Sequence, residues 1–511
     1  MPARRKVNNI FKNFKKFFLN ISNLQIILIT YLVVVLLGTC FLLLPISQKP
    51  GVNISFIDIL FTVASAFSDT GLTTRVTVET WTDFGQAVIA ILILIGGIGI
   101  FALKVWIINV IFRKSISITS RNILEKERSS SKTSDLKKTI KISVTFLFIT
   151  ILVATFILWL IFYFEKGNFI LQEVSDKEGV IKVRDFSQYD PHGNVLLSFK
   201  AAVFHSISAI NNAGFDILSD ASLSPYYSVY SIQIVFIILL VIGGVGFPVI
   251  YDVLQYISHK IRKRTDFHFS LFTKISCVTY LLVFLTGLIL TFIFELTNSN
   301  PMNLWNNNNP ELGSKGDRIM CMVFHVFSTR NAGFTTLDTN ITTFLDSTLI
   351  IFAIMMFIGS APSSTAGGIR TTTLAIIIVA IWNRIRGINE VRMFRRKISQ
   401  DNVFSSFIVL AISIFIILLS SLICFTSLDT MWGSASSKEL TFADIFYDVC
   451  SAFGTTGLST GLTSSLNTGS KLTLILTMFI GQLGISSTIL VWRKNNFKNN
   501  YSYIEEDIII G

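Results

Sequence analysis

Long apolar stretches separated by shorter polar ones occupy most of the chain. Eight of them contain about 20 residues or more and are apolar enough to cross the hydrocarbon core of a bilayer as helices. These stretches are residues 25–44, 86–112, 142–164, 229–257, 271–294, 347–382, 403–425 and 472–492. An even number of spans places both termini on the same side of the membrane. The pattern therefore predicts an all-α, multi-pass membrane protein.

Four shorter apolar segments alternate with these spans. They are residues 56–68, 199–211, 318–330 and 442–454. A segment of about 13 residues is too short to cross a bilayer, so each must enter the membrane and return on the same side. Two of them begin with a hydroxyl residue and an acid three positions later, Ser55 with Asp58 and Thr441 with Asp444, a pattern typical of a helix start. We therefore predict four re-entrant pore helices.

Each short segment ends in a related tetrapeptide centred on glycine. The four are Asp69-Thr70-Gly71-Leu72, Asn212-Ala213-Gly214-Phe215, Asn331-Ala332-Gly333-Phe334 and Thr455-Thr456-Gly457-Leu458. Rings of backbone carbonyls can replace the hydration shell of a cation, and glycine reaches the dihedral angles that such a loop requires. We therefore predict that the first three residues of each tetrapeptide form an ion-binding selectivity filter. A monovalent cation at this filter is the only metal ion expected.

The predicted organisation is four pseudo-symmetric repeats around one pore, each consisting of a helix, a pore helix with its filter loop, and a second helix. Repeats 1 to 4 are residues 25–112, 142–257, 271–382 and 403–492. The remaining segments are an N-terminal segment (1–24), a linker (113–141), two loops (258–270 and 383–402) and a C-terminal tail (493–511). Glycine clusters follow each filter glycine at a nearly constant offset, which indicates either close helix packing or a shared functional role.

Basic residues are concentrated in alternate connections, with nine in 113–141, four in 260–264 and six in 384–397. By the positive-inside rule, these connections and both termini are cytoplasmic, in a protein of the plasma membrane. The net charge of +12 is therefore a signal of orientation in the lipid bilayer. Because the basic residues flank membrane spans, no nucleic-acid partner is expected.

Composition excludes several other classes. Hydrophobic residues make up 51% of the 511 residues and charged residues only 14%, too little polar surface for a soluble protein. The five cysteines are scattered singly, so neither a metal site nor a disulfide framework is expected. The sequence contains no cluster of catalytic residues and no GxxxxGK[ST] nucleotide-binding loop. We therefore expect a protein that is not an enzyme and has no covalent cofactor.

The sixth span is longer than a straight crossing requires and has a non-helical composition at its centre. Its middle reads Gly359-Ser360-Ala361-Pro362-Ser363-Ser364-Thr365-Ala366-Gly367-Gly368-Ile369-Arg370-Thr371. Proline removes a backbone donor, and irregular backbone at membrane depth is tolerated only where it faces protein or water. We therefore predict an intramembrane loop at 359–371 that crosses the ion path as a gate. The alternative is a packing kink between helices.

These glycine loops, together with the Ser364–Gly368 core of the predicted gate, resemble the Trk/Ktr/HKT potassium-transport superfamily, and within it the KtrB-type membrane subunits. The resemblance implies channel-like potassium uptake, with potassium as substrate and sodium as a candidate modulator. It also implies a homodimer with one pore per protomer and a cytoplasmic nucleotide-binding ring of the KtrA or TrkA kind. The alternative function is a sodium-coupled or less selective monovalent cation secondary transporter.

Two positions refine the expectation. In some plant members of the superfamily a serine at the first filter position accompanies sodium transport, and Gly71 here implies a preference for potassium. Relatives usually carry an arginine between the last-span glycines, where this chain has Gln482. A neutral amide cannot repel a cation electrostatically, so the closed barrier is expected to depend more on the gate loop itself.

Overall fold

The computed structural model describes residues 23–110, 136–174, 181–263, 267–298, 303–306, 312–337, 344–431 and 441–485. Nearly all of the predicted N-terminal segment, most of the linker and all of the tail lie outside these ranges. Within the described residues the chain is helical apart from two small hairpins and the loops between helices.

Each repeat contains a long first helix, a shorter pore helix and a second helix. Repeat 1 has α1 (Asn23–Leu43), α2 (Phe56–Phe67), the one-turn α3 (Thr77–Thr80), α4 (Asp83–Ile98) and α5 (Ile100–Val110). Repeat 2 has α6 (Leu136–Phe164), α7 (Val195–Ile210), α8 (Tyr230–Gly244) and α9 (Phe247–Ile261). Repeat 3 has α10 (Leu271–Thr297), α11 (Lys315–Ser328), α12 (Asp346–Phe357) and α13 (Thr371–Ile385). Repeat 4 has α14 (Gln400–Met431), α15 (Phe442–Gly454) and α16 (Thr468–Leu483).

The strands form two antiparallel hairpins outside the helical bundle. The first pairs β1 (Ile170–Val174) with β2 (Ile181–Asp185) ahead of α7. The second pairs β3 (Arg392–Met393) with β4 (Arg396–Lys397) between α13 and α14. Single turns of 3-10 helix occur at Pro45–Ser47, Ser187–Tyr189, Ser224–Tyr226 and Leu462–Ser465.

The first helix of each repeat is long, continuous and apolar enough to cross a membrane. The qualifying stretches are Gln25–Leu43, Lys138–Phe164, Leu271–Thr297 and Gln400–Ser427. Their outward faces are strongly apolar, with Leu152 of α6 71% exposed and Phe415 of α14 65% exposed. Such faces match a lipid environment, and the prediction of a multi-pass helical membrane protein is confirmed.

In repeats 1, 2 and 4 the second span is not the continuous helix that the hydropathy pattern predicts. In repeats 1 and 2 the helix breaks at Gly99 and Gly246, each with φ of +84°, and α8 and α9 are bent by 104°. In repeat 4, α16 ends before Gly484, whose φ is +79°. A right-handed helix cannot pass through a residue with positive φ, whereas hydropathy reports only that a stretch is apolar. Only the sixth span was predicted to be interrupted, so the breaks in the second helices of repeats 1, 2 and 4 depart from the prediction.

The predicted helix starts of the first and last pore helices are confirmed. Ser55 accepts a hydrogen bond from the backbone N–H of Asp58 at 3.2 Å, and Thr441 donates its N–H to the carboxylate of Asp444 at 2.9 Å. The other two pore helices begin earlier than the predicted 199–211 and 318–330. Asn194 caps α7, and Ser314 forms a capping box that starts α11. The first turn of α11 is polar and lies outside the apolar stretch, which is why hydropathy missed it, whereas the first turn of α7, Val195–Leu197, is apolar.

Two apolar cores hold the bundle together. One joins repeats 1 and 2 and includes Tyr31, Phe67 and Phe236. The other joins repeats 3 and 4 and is built around residues such as Phe352 and Phe453. Each core also takes side chains from the opposite half, for example Phe334 in the first and Phe61 in the second. The two halves therefore interlock at the centre of the molecule.

Candidate ion pathway

The four filter glycines lie next to one another in a closed ring. At each of them, an added Cβ atom would come closer than 3.0 Å to backbone atoms of the next repeat, a separation that real Cβ atoms essentially never show. The nearest contacts run from Gly71 to Ala213, from Gly214 to Gly333, from Gly333 to Thr456 and from Gly457 to Thr70. Each repeat therefore touches the next one, and repeat 4 touches repeat 1. Only glycine leaves room for this approach.

The carbonyl groups immediately before the glycines also belong to the ring. They are those of Thr70, Ala213, Ala332 and Thr456. Each of these oxygens lies against the glycine of a neighbouring repeat, and none accepts a hydrogen bond from a residue that the structure describes. Buried carbonyl oxygens are normally paired, so four unpaired ones at one level of the molecule form a site with the chemistry of a cation ligand.

Two positions in every filter loop have left-handed backbone. The glycines have φ of +88° at Gly71, +68° at Gly214, +75° at Gly333 and +95° at Gly457. Two residues earlier, φ is +51° at Asp69, +56° at Asn212, +76° at Asn331 and +50° at Thr455. Asparagine and aspartate tolerate this region, whereas threonine does so rarely. The repetition of both dihedral angles shows that the loops share one backbone path.

The left-handed residue two positions before the glycine ends the pore helix. In repeat 1 the N–H of Thr70 donates to the carbonyl of Ser65 at 2.9 Å, and that of Asp69 donates to Ala66 at 3.3 Å, the pattern of a Schellman motif. Repeats 2 and 4 have the same pair of bonds. In repeat 3 the N–H of Ala332 donates to the carbonyl of Ser328, four residues earlier instead of five. Each repeat supplies one wall of the ring, and the repeat 3 wall therefore departs slightly from the other three.

Serines of the pore helices hold the filter strand from behind. Ser208 donates to the carbonyl of Phe215 at 2.8 Å, and Ser328 donates to that of Phe334 at 2.5 Å. In repeat 4, Ser451 instead accepts a bond from the N–H of Gly457 at 3.0 Å. These bonds fix the loop that follows each glycine and reduce its freedom to collapse into the ring.

A cavity of about 620 Å³ opens on one side of the ring and is lined by all four filter glycines. Its wall is polar and carries more acidic than basic side chains: Glu79, Asp216 and Asp220 against Arg75. Asp220 is paired with Arg184 outside the cavity. Carboxylates at the mouth of a cleft raise the local concentration of cations, so this cavity can act as an entrance to the ring.

On the other side of the ring lies the loop that was predicted as a gate. It separates α12 from α13, contains no helix between residues 358 and 370, and is buried throughout 359–369. Toward repeat 2, the N–H of Ala361 donates to Gly244 at 3.3 Å and the N–H of Phe247 donates to Ser363 at 3.1 Å. Ser363 itself has a φ of +61°. The loop is therefore an ordered non-helical segment packed against a second repeat, more than a kink within one helix.

Toward repeat 4, the gate loop contacts the filter directly. The N–H of Gly367 donates to the side-chain oxygen of Thr455 at 2.7 Å. Arg370 donates to the carbonyl of Ala366 within the loop and to that of Gln482 at 3.1 Å. The Gln482 amide in turn donates to the carbonyl of Phe67 at the end of the repeat 1 pore helix, at 3.0 Å. Gln482 is thus directed to a pore helix, and only its backbone contacts the gate region.

Recurring glycines of the second helices allow the pore helices to approach closely. A Cβ atom at Gly96, Gly243 or Gly481 would overlap the carbonyl oxygen of Phe67, Ile210 or Phe453, respectively. Each of these carbonyl oxygens belongs to a residue at or next to the C-terminal end of the pore helix in the same repeat. The glycines therefore have the packing role that is usual for small residues between membrane helices. In repeat 3, Gly359 instead contacts Gly367 across the gate loop.

Sequence reasoning missed Arg330, which lies just before the repeat 3 filter and is only 1% exposed. Its guanidinium donates to the carbonyls of Met355 at 3.0 Å, Ile358 and Gly359 at 2.8 Å, and it stacks over the ring of Tyr280 at 5.0 Å. It thus satisfies the carbonyls left open where α12 ends and the gate loop begins. A charged residue inside an apolar segment is costly and was a usable signal.

A buried ion pair between the first and last repeats was also missed. Asp58, at the start of α2, is 2.8 Å from the ammonium of Lys471 in α16, and both side chains are nearly buried. From the sequence, Asp58 is predicted only as part of a helix start. Among the described residues, no group of three or more histidine, cysteine, aspartate or glutamate side chains could hold a metal ion.

Comparison with known proteins is consistent with this architecture. The family model described as "TrkH: Cation transport protein" matches residues 6–502. A Mycoplasma genitalium protein described as an uncharacterized cation transporter is 35% identical, over 91% of this chain and 89% of its own length. The Ktr system potassium uptake protein D of Bacillus subtilis is 32% identical, over 98% and 99%.

Among solved structures, the potassium transporter TrkH from Vibrio parahaemolyticus superposes with a TM-score of 0.64 over 93% of this chain and 87% of that one. At 17% identity this likeness concerns the fold alone. The family model covers nearly the whole sequence and includes every filter loop and the gate loop. The chain therefore belongs to the TrkH family of cation transport proteins, and it is a membrane transporter rather than an enzyme.

Proposed function

We propose that the chain is the potassium-translocating subunit of a Ktr/Trk-type uptake system. The single observation that carries the proposal is the closed ring of four glycines with four unpaired carbonyl oxygens. A potassium ion that enters this ring exchanges part of its hydration shell for those oxygens, without a fixed negative charge in its path. The pore helices end at the same ring, so the negative ends of four helix dipoles favour a cation there.

Several features support potassium as the substrate. Glycine occupies the central position in all four walls, including Gly71, where serine accompanies sodium transport in the resembling plant proteins. The Bacillus subtilis relative, which aligns over nearly the whole chain, is named as a potassium uptake protein.

The four walls of the ring differ at the position two residues before the glycine, which is Asp69, Asn212, Asn331 or Thr455. We therefore expect selectivity that is less stringent than in a filter with four equal walls.

The loop from Gly359 to Gly368 is proposed to gate this path. It is buried and held by repeats 2 and 4, close to the filter, where non-helical backbone is tolerated only against protein or water. Gln482 carries no charge and is bonded to Phe67, so we expect the closed barrier to depend mainly on the loop itself. Arg370 anchors the end of the loop to repeat 4.

The proposed setting is the plasma membrane, with both termini in the cytoplasm as the basic loops indicate. By resemblance, the subunit is a homodimer with one pore per protomer. Its proposed regulator is a cytoplasmic nucleotide-binding ring of the KtrA or TrkA kind. Potassium is substrate, and sodium is its proposed modulator.

The test is growth of a potassium-uptake-deficient cell at limiting potassium, with the chain expressed together with a matched regulatory ring. Wild type is expected to restore growth and rubidium uptake. Gly71→Ser is expected to lower potassium uptake by roughly tenfold, equivalent to about 1.4 kcal/mol, because its Cβ overlaps the Ala213 carbonyl. Sodium uptake should fall less.

Gly461→Ala is the matched control. Gly461 also has positive φ, +91°, but a Cβ there meets nothing within 4 Å. Gly461→Ala introduces backbone strain without crowding the ring, so this variant should keep potassium selectivity. If wild type fails to support growth, or if both variants lose selectivity equally, the proposed filter is refuted.

A second candidate is a sodium-coupled or less selective monovalent cation transporter. The observation that favours it is the unequal geometry of the walls, since the repeat 3 pore helix ends with a shorter hydrogen-bond pattern than the other three. The two candidates predict a different dependence of rubidium flux on sodium. Coupled transport predicts that rubidium uptake in liposomes stops when external sodium is removed, whereas channel-like uptake continues.

A further inference from the structure

An apolar groove runs along the outside of repeat 3, between α10, α12, α13 and the β3–β4 hairpin. Its volume is about 580 Å³, within the range of roughly 300–1,000 Å³ that is usual for small-molecule sites. Lining side chains such as Leu282, Ile354 and Ile378 are about half exposed at the protein surface. The groove is thus open to the hydrocarbon region that the flanking span α10 crosses.

The shape of the groove fits an extended hydrocarbon chain. Its lining residues on α10 extend from Ile275 to Leu290. That separation is 15 positions, or about 22 Å at 1.5 Å per residue. The hydrocarbon layer of one leaflet is about 15 Å deep, half of the bilayer core, so the groove is long enough for a whole acyl chain. Gly287 lies at its floor, where the side chain of Met355 fills the place of a Cβ.

One end of the groove is strongly basic. Arg392, Met393 and Phe394 of the hairpin line it, and residues 384–397 contain six basic side chains and one acid, Glu390, for a net charge of +5. Phe394 and Arg395 have φ of +47° and +64°, an uncommon backbone for such residues. This turn places an aromatic ring at the groove with arginines beside it, a combination suited to a chain joined to an anionic head group.

A second copy of the protein is a poorer occupant. In a symmetric contact through this same face, its own hairpin would bring another net charge of +5 to the basic end, and like charges in contact are repulsive. Arg392 and Lys397 each lie within 2.6 Å of Glu390, and both are more than half exposed. Glu390 neutralises only part of the cluster. The remaining positive charge favours an anion at this end of the groove.

The groove lies directly behind the gate loop. Met355 and Ile358 line it with their side chains, while their backbone carbonyls accept hydrogen bonds from Arg330. Ser360 of the gate loop donates to the Arg330 carbonyl at 3.3 Å. A chain packed in the groove therefore bears on the residues that fix the start of the loop.

We propose that the groove binds an anionic phospholipid, with an acyl chain along α10 and its phosphate at Arg392, and that the bound lipid stabilises the gate loop in the arrangement described above. The proposed lipid-binding site depends only on the shape of the groove and on its charge. The effect on the gate rests on the proposed function.

The test compares protein in nanodiscs of phosphatidylcholine with protein in nanodiscs of phosphatidylcholine mixed with phosphatidylglycerol. Native mass spectrometry then counts the phospholipid retained by each protomer. Wild type is expected to retain phosphatidylglycerol in preference to phosphatidylcholine. Thr286→Trp, at an exposed position lining the groove, fills it and should abolish retention. Leu281→Trp, exposed on the same helix but outside the groove, should have no effect.

A matched pair of variants tests the contact between the lipid head group and Arg392. Arg392→Gln and Lys397→Gln each remove one ion pair with Glu390, but only Arg392 lines the groove. Arg392→Gln should lower retention about fivefold, as expected for one basic residue at an anionic lipid surface, and Lys397→Gln should lower it much less. Equal effects of the two, or no preference in wild type, overturn the proposal. So does a loss of dimer with Thr286→Trp at unchanged lipid count, which would identify a protein interface.

Rubidium flux in liposomes of the same two compositions tests the gate. Flux through wild type should depend on phosphatidylglycerol, and flux through Thr286→Trp should not. If the lipid count changes as expected but flux responds equally in both proteins, the lipid has no gating role. The lipid count does not require potassium transport, so failure of the proposed function and failure of this inference remain distinguishable.

Discussion

Thr455 occupies a backbone conformation that its side chain disfavours. Repeats 1 to 3 place aspartate or asparagine at the equivalent left-handed position, whereas threonine is β-branched and costs roughly 1–3 kcal/mol there. Its side-chain oxygen accepts the N–H of Gly367 in the gate loop at 2.7 Å. Strain of this kind persists where the surroundings hold the residue in place. Here the holding contact joins the predicted filter loop to the predicted gate loop.

The prediction at this residue uses two substitutions. Thr455→Val keeps the shape but leaves the buried Gly367 N–H without an acceptor, which costs about 1–3 kcal/mol. It should lower the apparent melting temperature of the purified protein and raise rubidium leak in the absence of a regulatory ring. Thr455→Ser keeps the oxygen and reduces the strain, so it should match or exceed wild type. A valine variant as stable and as tightly closed as wild type would contradict the assigned contact.

Elements are coupled in repeat 3 by one side chain. Arg330 spans from the pore helix α11 to the open end of α12, and three carbonyls depend on it. Within the part of the chain that the structure describes, Arg330 forms no ion pair with a carboxylate, and the ring of Tyr280 covers one face of its guanidinium. Arginine suits this position because its planar fork presents several donors at fixed angles.

Replacement of Arg330 should therefore destabilise the start of the gate loop. Arg330→Met removes every donor, and each buried carbonyl left unsatisfied costs roughly 1–3 kcal/mol. Arg330→Lys offers a single donor group and should recover only part of the loss. Thermal melting and limited proteolysis of the purified variants measure the effect, with wild type most resistant, lysine intermediate and methionine least. Methionine and lysine variants that melt together with wild type would show that these bonds are not needed.

Some elements could be predicted from the sequence and others could not. Apolar length located the four long first helices, and the glycine tetrapeptides located the four loops whose glycines meet in a ring, because both depend on local composition. The breaks at Gly99 and Gly246 were not predicted, since a glycine in an apolar run is equally compatible with close packing in a straight helix. The contacts of Arg330 and the Asp58–Lys471 pair join residues distant in sequence, where local patterns carry no information.

At the scale of the whole molecule, the ring is nearly but not fully fourfold. A Cβ on Gly71, Gly333 or Gly457 would overlap a carbonyl oxygen of the neighbouring repeat. At Gly214 the nearest atom is the Cα of Gly333 at 2.8 Å, and the Ala332 oxygen is 3.0 Å away. The wall of repeat 2 therefore has slightly more room than the other three.

This difference predicts an order among equivalent substitutions. Alanine at each filter glycine should reduce rubidium uptake, and Gly214→Ala should reduce it least, because its methyl group displaces no carbonyl oxygen directly. Uptake by the four single variants, corrected for the amount of protein in the membrane, measures the order. A Gly214→Ala variant as impaired as the other three would mean that strain at positive φ, and not crowding in the ring, dominates.

Closure of the ring between Gly457 and Gly71 joins the last repeat to be synthesised with the first. Ribosomes release the chain from its N-terminus onward, so a nascent or prematurely terminated product that lacks repeat 4 has three walls and an open side. Such a fragment cannot assemble the complete set of oxygen ligands. On the proposed function, a complete filter therefore exists only after translation has passed the fourth filter loop.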